Sequence, residues 1–243
     1  MLRSLCLLAA LAAAAVPVRA LAQPGPGELP AGQTWFRDTN VTRHLYSPTG
    51  FMLRQGEGYL SQKEVLLTSF GYGVTDNVSV MVGSVVPGWF LGAGNLFGGV
   101  KLGVEAADVL HLAVGFQALY LPVPFPGGTV GALHATATYG TRDLNLTLSA
   151  ATLVTIPNFY TSPYPALVIA GGMWRVSSTL VLQTEHWFIP QLGAYRVDGV
   201  IMFNSVGVRV MVDRNLSMDL GIARVPKLDF PLPWLDVTWA FGS

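Results

Sequence analysis

Four histidines, His44, His111, His134 and His186, are the chain's whole supply of imidazole, and Cys6 is its only thiol. Acyl transfer by a hydroxyl nucleophile needs an imidazole within reach of the hydroxyl on one side and an orienting carboxylate or amide on the other. His186 comes nearest to this in sequence, in Thr184-Glu185-His186-Trp187. Adjacent residues of an extended chain point to opposite faces, however, so Glu185 is turned away from His186. No serine stands in a nucleophile-elbow context, and His111 and His134 fall mid-segment, opposite large apolar side chains, where a structural role is expected. These residues predict no enzyme, no cofactor and no metal site.

A second constellation is ionic. Lys101, Glu105, Glu185, Arg209, Asp219 and Asp236 each lie on the face opposite the large apolar side chains of their segment. An unpaired buried charge is expensive, so if that face is enclosed, opposite signs must meet. Ion pairs that plug the enclosed space are the expected arrangement; a selectivity ring or binding pocket is the functional alternative.

What encloses them follows from where the chain goes. Arg3, the apolar run Leu5 to Val18 and the small residues Ala20-Leu21-Ala22 form a signal peptide with cleavage after Ala22. The run is shorter than the roughly 20 residues a spanning helix needs. Cys6 leaves with it, so thiolate metal sites and thiol nucleophiles are excluded, and the remaining domain is large enough to fold without a disulfide. Removing Arg3 and Arg19 leaves 12 basic residues against 14 acidic, a balance that predicts no nucleic-acid partner. Only 12% of residues are charged while 51% are hydrophobic, against roughly 25% charged in soluble domains. No later segment is apolar for 18 residues in a row, so transmembrane helices are not expected. The remaining structure that satisfies every backbone group in lipid is a closed barrel, whose strands conceal their apolar content by alternation.

Alternation is plain at Leu110 to Gln117, Leu144 to Ser149 and Leu216 to Ala223. A β-sandwich would give the same pattern, so the connections decide. Short polar breaks precede Val78, Leu110, Leu144, Leu180 and Leu216, spaced 32, 34, 36 and 36 residues apart, a hairpin's length each time. Longer Pro-, Gly- and aromatic-rich loops alternate with them, at 87–95, 121–128, 157–163, 190–198 and 225–233. Tight turns at one end and long loops at the other are the asymmetry of outer-membrane barrels, the tight turns being periplasmic. Aromatics such as Trp89, Tyr120, Trp187 and Trp234 cluster beside the long loops, as an interface belt would place them. Parity then predicts an all-β, antiparallel up-and-down barrel of about twelve strands over residues 41–243, with Thr42 to Pro48 as the first strand. If that segment lies at the periplasmic rim instead, ten is the fallback. Residues 23–40, with Pro24, Pro26 and Pro30, read as an irregular leader. Small inward residues such as Gly99, Gly103, Ala113, Gly115, Thr136 and Thr138 predict a narrow or closed interior.

The chain closes on Leu235, Val237, Trp239 and Phe241, all on one face. This resembles the C-terminal signal read by the barrel-assembly machinery, from which Gly242 and Ser243 depart because the aromatic is usually terminal. The segment Thr42-Arg43, Ser47-Pro48-Thr49-Gly50, Gly56-Glu57-Gly58-Tyr59, with Tyr72 to Asn77 and Glu185, Trp187-Phe188-Ile189-Pro190, resembles uncharacterised exported β-barrel proteins of Gram-negative bacteria. That resemblance covers most of the mature chain and implies a fold and an outer-membrane location, with no activity or ligand to carry over. Lipid and the assembly machinery are the expected partners; the oligomeric state is not fixed. The leading expectation is an integral outer-membrane barrel, a narrow or plugged channel or a structural barrel. The alternatives are a secreted or periplasmic soluble β-barrel that binds an apolar ligand and, further off, an outer-membrane lipid hydrolase of the kind that uses Ser, His and a carboxylate or amide.

Overall fold

A sheet whose first and last strands pair has no edge left to satisfy, and this chain achieves that closure with twelve antiparallel wall strands. The computed structural model describes residues 36–86, 94–121, 128–156, 160–161, 167–189, 201–224 and 230–242. The expected signal peptide, the leader as far as residue 35 and the middles of the long loops lie outside the described residues. In chain order the strands are β1 (Gly58–Lys63), β2 (Leu67–Thr75), β3 (Val78–Val85), β4 (Leu96–Ala107), β5 (Leu110–Leu121), β6 (Gly128–Gly140), β7 (Leu144–Ile156), β8 (Tyr160–Thr161), β9 (Leu167–Arg175), β10 (Leu180–Ile189), β11 (Ile201–Asp213), β12 (Leu216–Arg224) and β13 (Leu232–Phe241). The two-residue β8 caps the end of β7 and is not part of the ring. The seam between β1 and β13 has six paired positions, Gly58 with Phe241 through Lys63 with Asp236, against twelve between β5 and β6.

The alternation resolves as a greasy outside and a polar inside. On β7, Leu146 and Leu148 are 53% and 58% exposed while Thr147 and Ser149 are 5% and 2% exposed. Val100, Leu102 and Val104 on β4, and Leu112 and Val114 on β5, extend the exposed apolar band around the wall. A band of this extent has no place in water. Trp174, Tyr72 and Trp239 stand exposed in it near the tight-turn end, as ring side chains do at a membrane interface.

Twelve strands agree with the expected number, but Thr42–Pro48 is not one of them. The missing strand comes from a turn hidden between Glu64 and Leu66, which divides 58–75 into β1 and β2. Glu64 and Val65 both take positive φ, 52° and 59°, and Leu66 N–H donates to Lys63 C=O at 2.9 Å, a two-residue turn of the type that Asn-Gly ordinarily marks. A β-branched residue there is strained by about 1–2 kcal/mol. Val65→Gly is therefore expected to raise barrel stability by about 1 kcal/mol, read as a shift in the urea midpoint in detergent; no shift would mean that the turn relaxes at no cost.

The displaced segment is inside. Residues 36–57 enter the bore from the tight-turn end, rise and return as a hairpin. Arg43 bridges Pro48, His44 N–H donates to Ser47 C=O at 2.9 Å, and Thr49 N–H to Thr42 C=O at 3.0 Å. Its polar residues Asn40, Arg43, His44, Ser47 and Thr49 are buried against the inner wall. A strand carrying Arg and His in this run would have to present one of them to lipid, which explains why the lumen is preferred.

Candidate functional site

The lumenal site is the interface between this hairpin and the wall. Arg209, on β11, is wholly buried. Its Nε donates to Asp219 Oδ1 at 2.7 Å and Nη2 to Asp219 Oδ2 at 3.0 Å, while Nη1 meets both oxygens of Asp38 at 2.9 Å. Nη2 also reaches Gln183 Oε1 and the carbonyls of Arg43 and His44. A fork-shaped guanidinium suits this, since a planar five-donor cation can hold two carboxylates and hairpin backbone at once. Asp236, on β13, takes Arg43 Nη2 at 3.1 Å, Ser61 Oγ at 2.7 Å and, more distantly, Lys63 Nζ at 3.8 Å.

Glu185, on β10, is held by neutral donors: it accepts from the Tyr46 N–H, from the N–H and hydroxyl of Ser47, and from Trp187 Nε1. Lys101, on β4, is held by neutral acceptors and donates to the carbonyls of Thr42, Thr49 and Phe51, the last at 2.6 Å. Arg43, Lys63, Lys101 and Arg209 thus stand among Asp38, Glu185, Asp219 and Asp236 in the bore, with direct ion pairs in the Arg209 and Asp236 groups.

Of the six charges expected to share the lumen, five meet the hairpin or its partners. Glu105 does not: it is exposed near the tight-turn end, paired in register with His111. Sequence reasoning missed Asp38, Asn40 and Arg43 because alternation identifies wall residues only and gives no sign that the segment before β1 folds back inside, and it missed Lys63 because the turn that makes β1 a separate strand is hidden. The wall makes room for the hairpin by lacking side chains. A Cβ on Gly103 would lie 2.6 Å from Met52 Sδ, and one on Gly171 would lie 2.8 Å from His44 Cδ2.

The tip of the hairpin is aromatic. Tyr46 packs on Trp234 with ring centroids 3.8 Å apart and meets Trp187 edge-on at 6.3 Å, with Lys63 Nζ 5.2 Å above the Tyr46 ring. Trp187 and Trp234, expected in an interface belt, therefore face inward and serve as the seat of the tip. Beyond the tip, toward the long loops, the inward positions turn apolar, through Phe97, Leu119, Val130, Leu153 and Ile169. A cavity of about 200 Å³ lies beside the hairpin, bordered by Arg43, Lys63, Ser79, Phe97, Lys101 and Gln117. The hairpin is bound closely on the β10–β13 side and more loosely on the β2–β5 side.

His44 is fully buried with neither ring nitrogen hydrogen-bonded, and burial pushes its imidazole down to about 4 from 6.5, with Arg209 adding to the fall and Glu185 opposing it. The seated hairpin thus holds a neutral ring, whereas the unfolded chain takes up a proton near 6.5. The resulting stability is complete above pH 6.5 and is lost as pH falls toward 4, by about 3 kcal/mol in all. Urea midpoints measured from pH 7 to pH 5 should fall in the wild type and fall less in His44→Gln; equal slopes would exclude His44 as the cause. His111 packs on Phe51 and His134 sits by Thr136, both inside, while His186 faces outward.

No protein-family model matches the chain, and no curated protein does. Among solved structures the chain is similar to the KdgM porin, with a TM-score of 0.55 at 8% identity over 76% of this chain and 98% of that one. It is also similar to the NanC porin, with a TM-score of 0.50 at 9% identity over 76% and 97%. At such identities the likeness is one of fold: a twelve-stranded barrel of the outer-membrane porin type.

Proposed function

We propose that this protein is an integral outer-membrane barrel that is closed at rest, its periplasmic half stoppered by its own N-terminal hairpin, so that passage requires the hairpin to move. The observation that carries this reading is the bonding of Arg209 and Lys101 to the hairpin, which ties it across the bore between β11 and β4. The exposed apolar band supports placement in lipid over the soluble alternative. The outward face of β13, with Leu235, Val237, Trp239 and Phe241, is the segment proposed to engage the assembly machinery.

Planar-bilayer recording tests the closure. Wild-type protein is expected to give no conductance steps, and Asp38→Ala with Lys101→Ala to give intermittent openings, because their bonds tie the hairpin to two different stretches of wall, β11 and β4. Steady single-channel currents from the wild type would refute a closed resting state.

A further inference from the structure

Three polar side chains gather on the outer wall where β10 meets β11. Thr184 and His186 are two residues apart on β10 and so share its outward face, and Asn204 is directly opposite His186 on β11. Thr184 Oγ1 lies 3.0 Å from His186 Nε2, and His186 Nδ1 lies 2.8 Å from Asn204 Oδ1. An amide oxygen only accepts, so it keeps the imidazole proton on Nδ1 and leaves the Nε2 lone pair directed at the Thr184 hydroxyl. The Ser205 carbonyl, 3.0 Å from Thr184 Oγ1, is a second acceptor for the same proton. Hydroxyl, base and orienter are the three parts of a nucleophilic acyl-transfer site.

The surroundings point to a ligand. A shallow apolar groove of about 810 Å³ runs from Thr184 toward the tight-turn end, bordered by Leu146, Gly172, Trp174, Leu182, Val206 and Leu220. Gly172 pairs with Thr184 across β9 and β10, and its missing side chain deepens the groove beside the hydroxyl. An ionisable side chain facing lipid is costly to keep and is a functional candidate by default. The polar array sits at the end of this groove farther from the tight turns.

We propose that Thr184, His186 and Asn204 form an acyl-transfer site on the lipid-facing wall, acting on the carboxylic ester of a long-chain lipid whose acyl chain lies in this groove. Thr184 Oγ1 attacks the ester carbonyl carbon while its proton passes to His186 Nε2. The acyl–oxygen bond then breaks, the alcohol leaves with that proton, and the acyl group remains on Thr184. Water attacks next, giving a proton to His186; the fatty acid departs and Thr184 recovers its hydrogen. Asn204 is a positioning residue. Turnover is expected to be slow, because the N–H groups of β10 and β11 are committed to their ladder and each oxyanion donor is worth ~10²–10³ in rate. The site lies outside the barrel, so its failure would leave the closed-lumen reading untouched.

The test uses folded protein in mixed micelles, treated with a long-chain alkyl fluorophosphonate and, separately, with dipalmitoyl phosphatidylethanolamine. Wild type is expected to be labelled at Thr184 and to release palmitate; Thr184→Val and His186→Gln, still heat-modifiable on gels, should lose at least tenfold of both, and Thr184→Ser should keep them. Asn204→Asp should retain the rate but move its acid limb to higher pH, which a merely structural residue would not do. Absence of both label and palmitate in the wild type, label at another residue, or full activity in Thr184→Val would overturn the proposal.

Discussion

Arg209→Met is expected to destabilise the barrel by about 3–5 kcal/mol, the largest effect of any single substitution in the lumen. Removing the guanidinium leaves Asp38 and Asp219 buried without a cation and strips the hairpin carbonyls of Arg43 and His44 of a donor. Urea midpoints from the heat-modifiable gel shift measure the loss. Adding Asp38→Asn and Asp219→Asn to the same chain should recover much of it, because most of the cost lies in the orphaned carboxylates rather than in a net gain from the ion pairs. A triple variant as weak as the single one would show that the shape of the arginine, and not its charge, holds the hairpin.

Leu148→Arg is expected to hinder membrane insertion by roughly 2–4 kcal/mol, the cost of an arginine at the bilayer midplane. Leu148 is outward and 58% exposed, so the change meets lipid directly. Folding yields into vesicles read the effect. Unimpaired insertion, with wild-type protein soluble in the absence of detergent, would return the chain to the soluble class.

The outer wall is legible in the sequence because a period of two and a repeated hairpin length run through the strands from Val78 onward. The inner surface is legible as far as alternation reaches, since Lys101, Glu185, Arg209, Asp219 and Asp236 sit on wall strands whose large apolar side chains mark the opposite face. Three features escape for physical reasons. The turn at Glu64–Val65 has none of the residues that favour positive φ, so nothing local announces it. The hairpin is held by side chains of distant strands, such as Asn40 with Thr238 and Arg43 with Asp236, and such pairings leave no periodic trace. The outer array escapes in a third way: Asn204 is 18 residues from His186, on the next strand, and Thr184 is not a serine.

The short joint between β1 and β13 gives the hairpin a further task. Arg43 reaches Asp236 on β13 and lies 4.5 Å over the ring of Tyr59 on β1, while Lys63 on β1 leans toward the same carboxylate. The stopper is also a clamp across the line where the cylinder closes on itself, so withdrawing it whole would loosen the staves it passes between. Any gating that preserves the wall must swing the arm near Lys101 and keep the arm bearing Arg43 at its post.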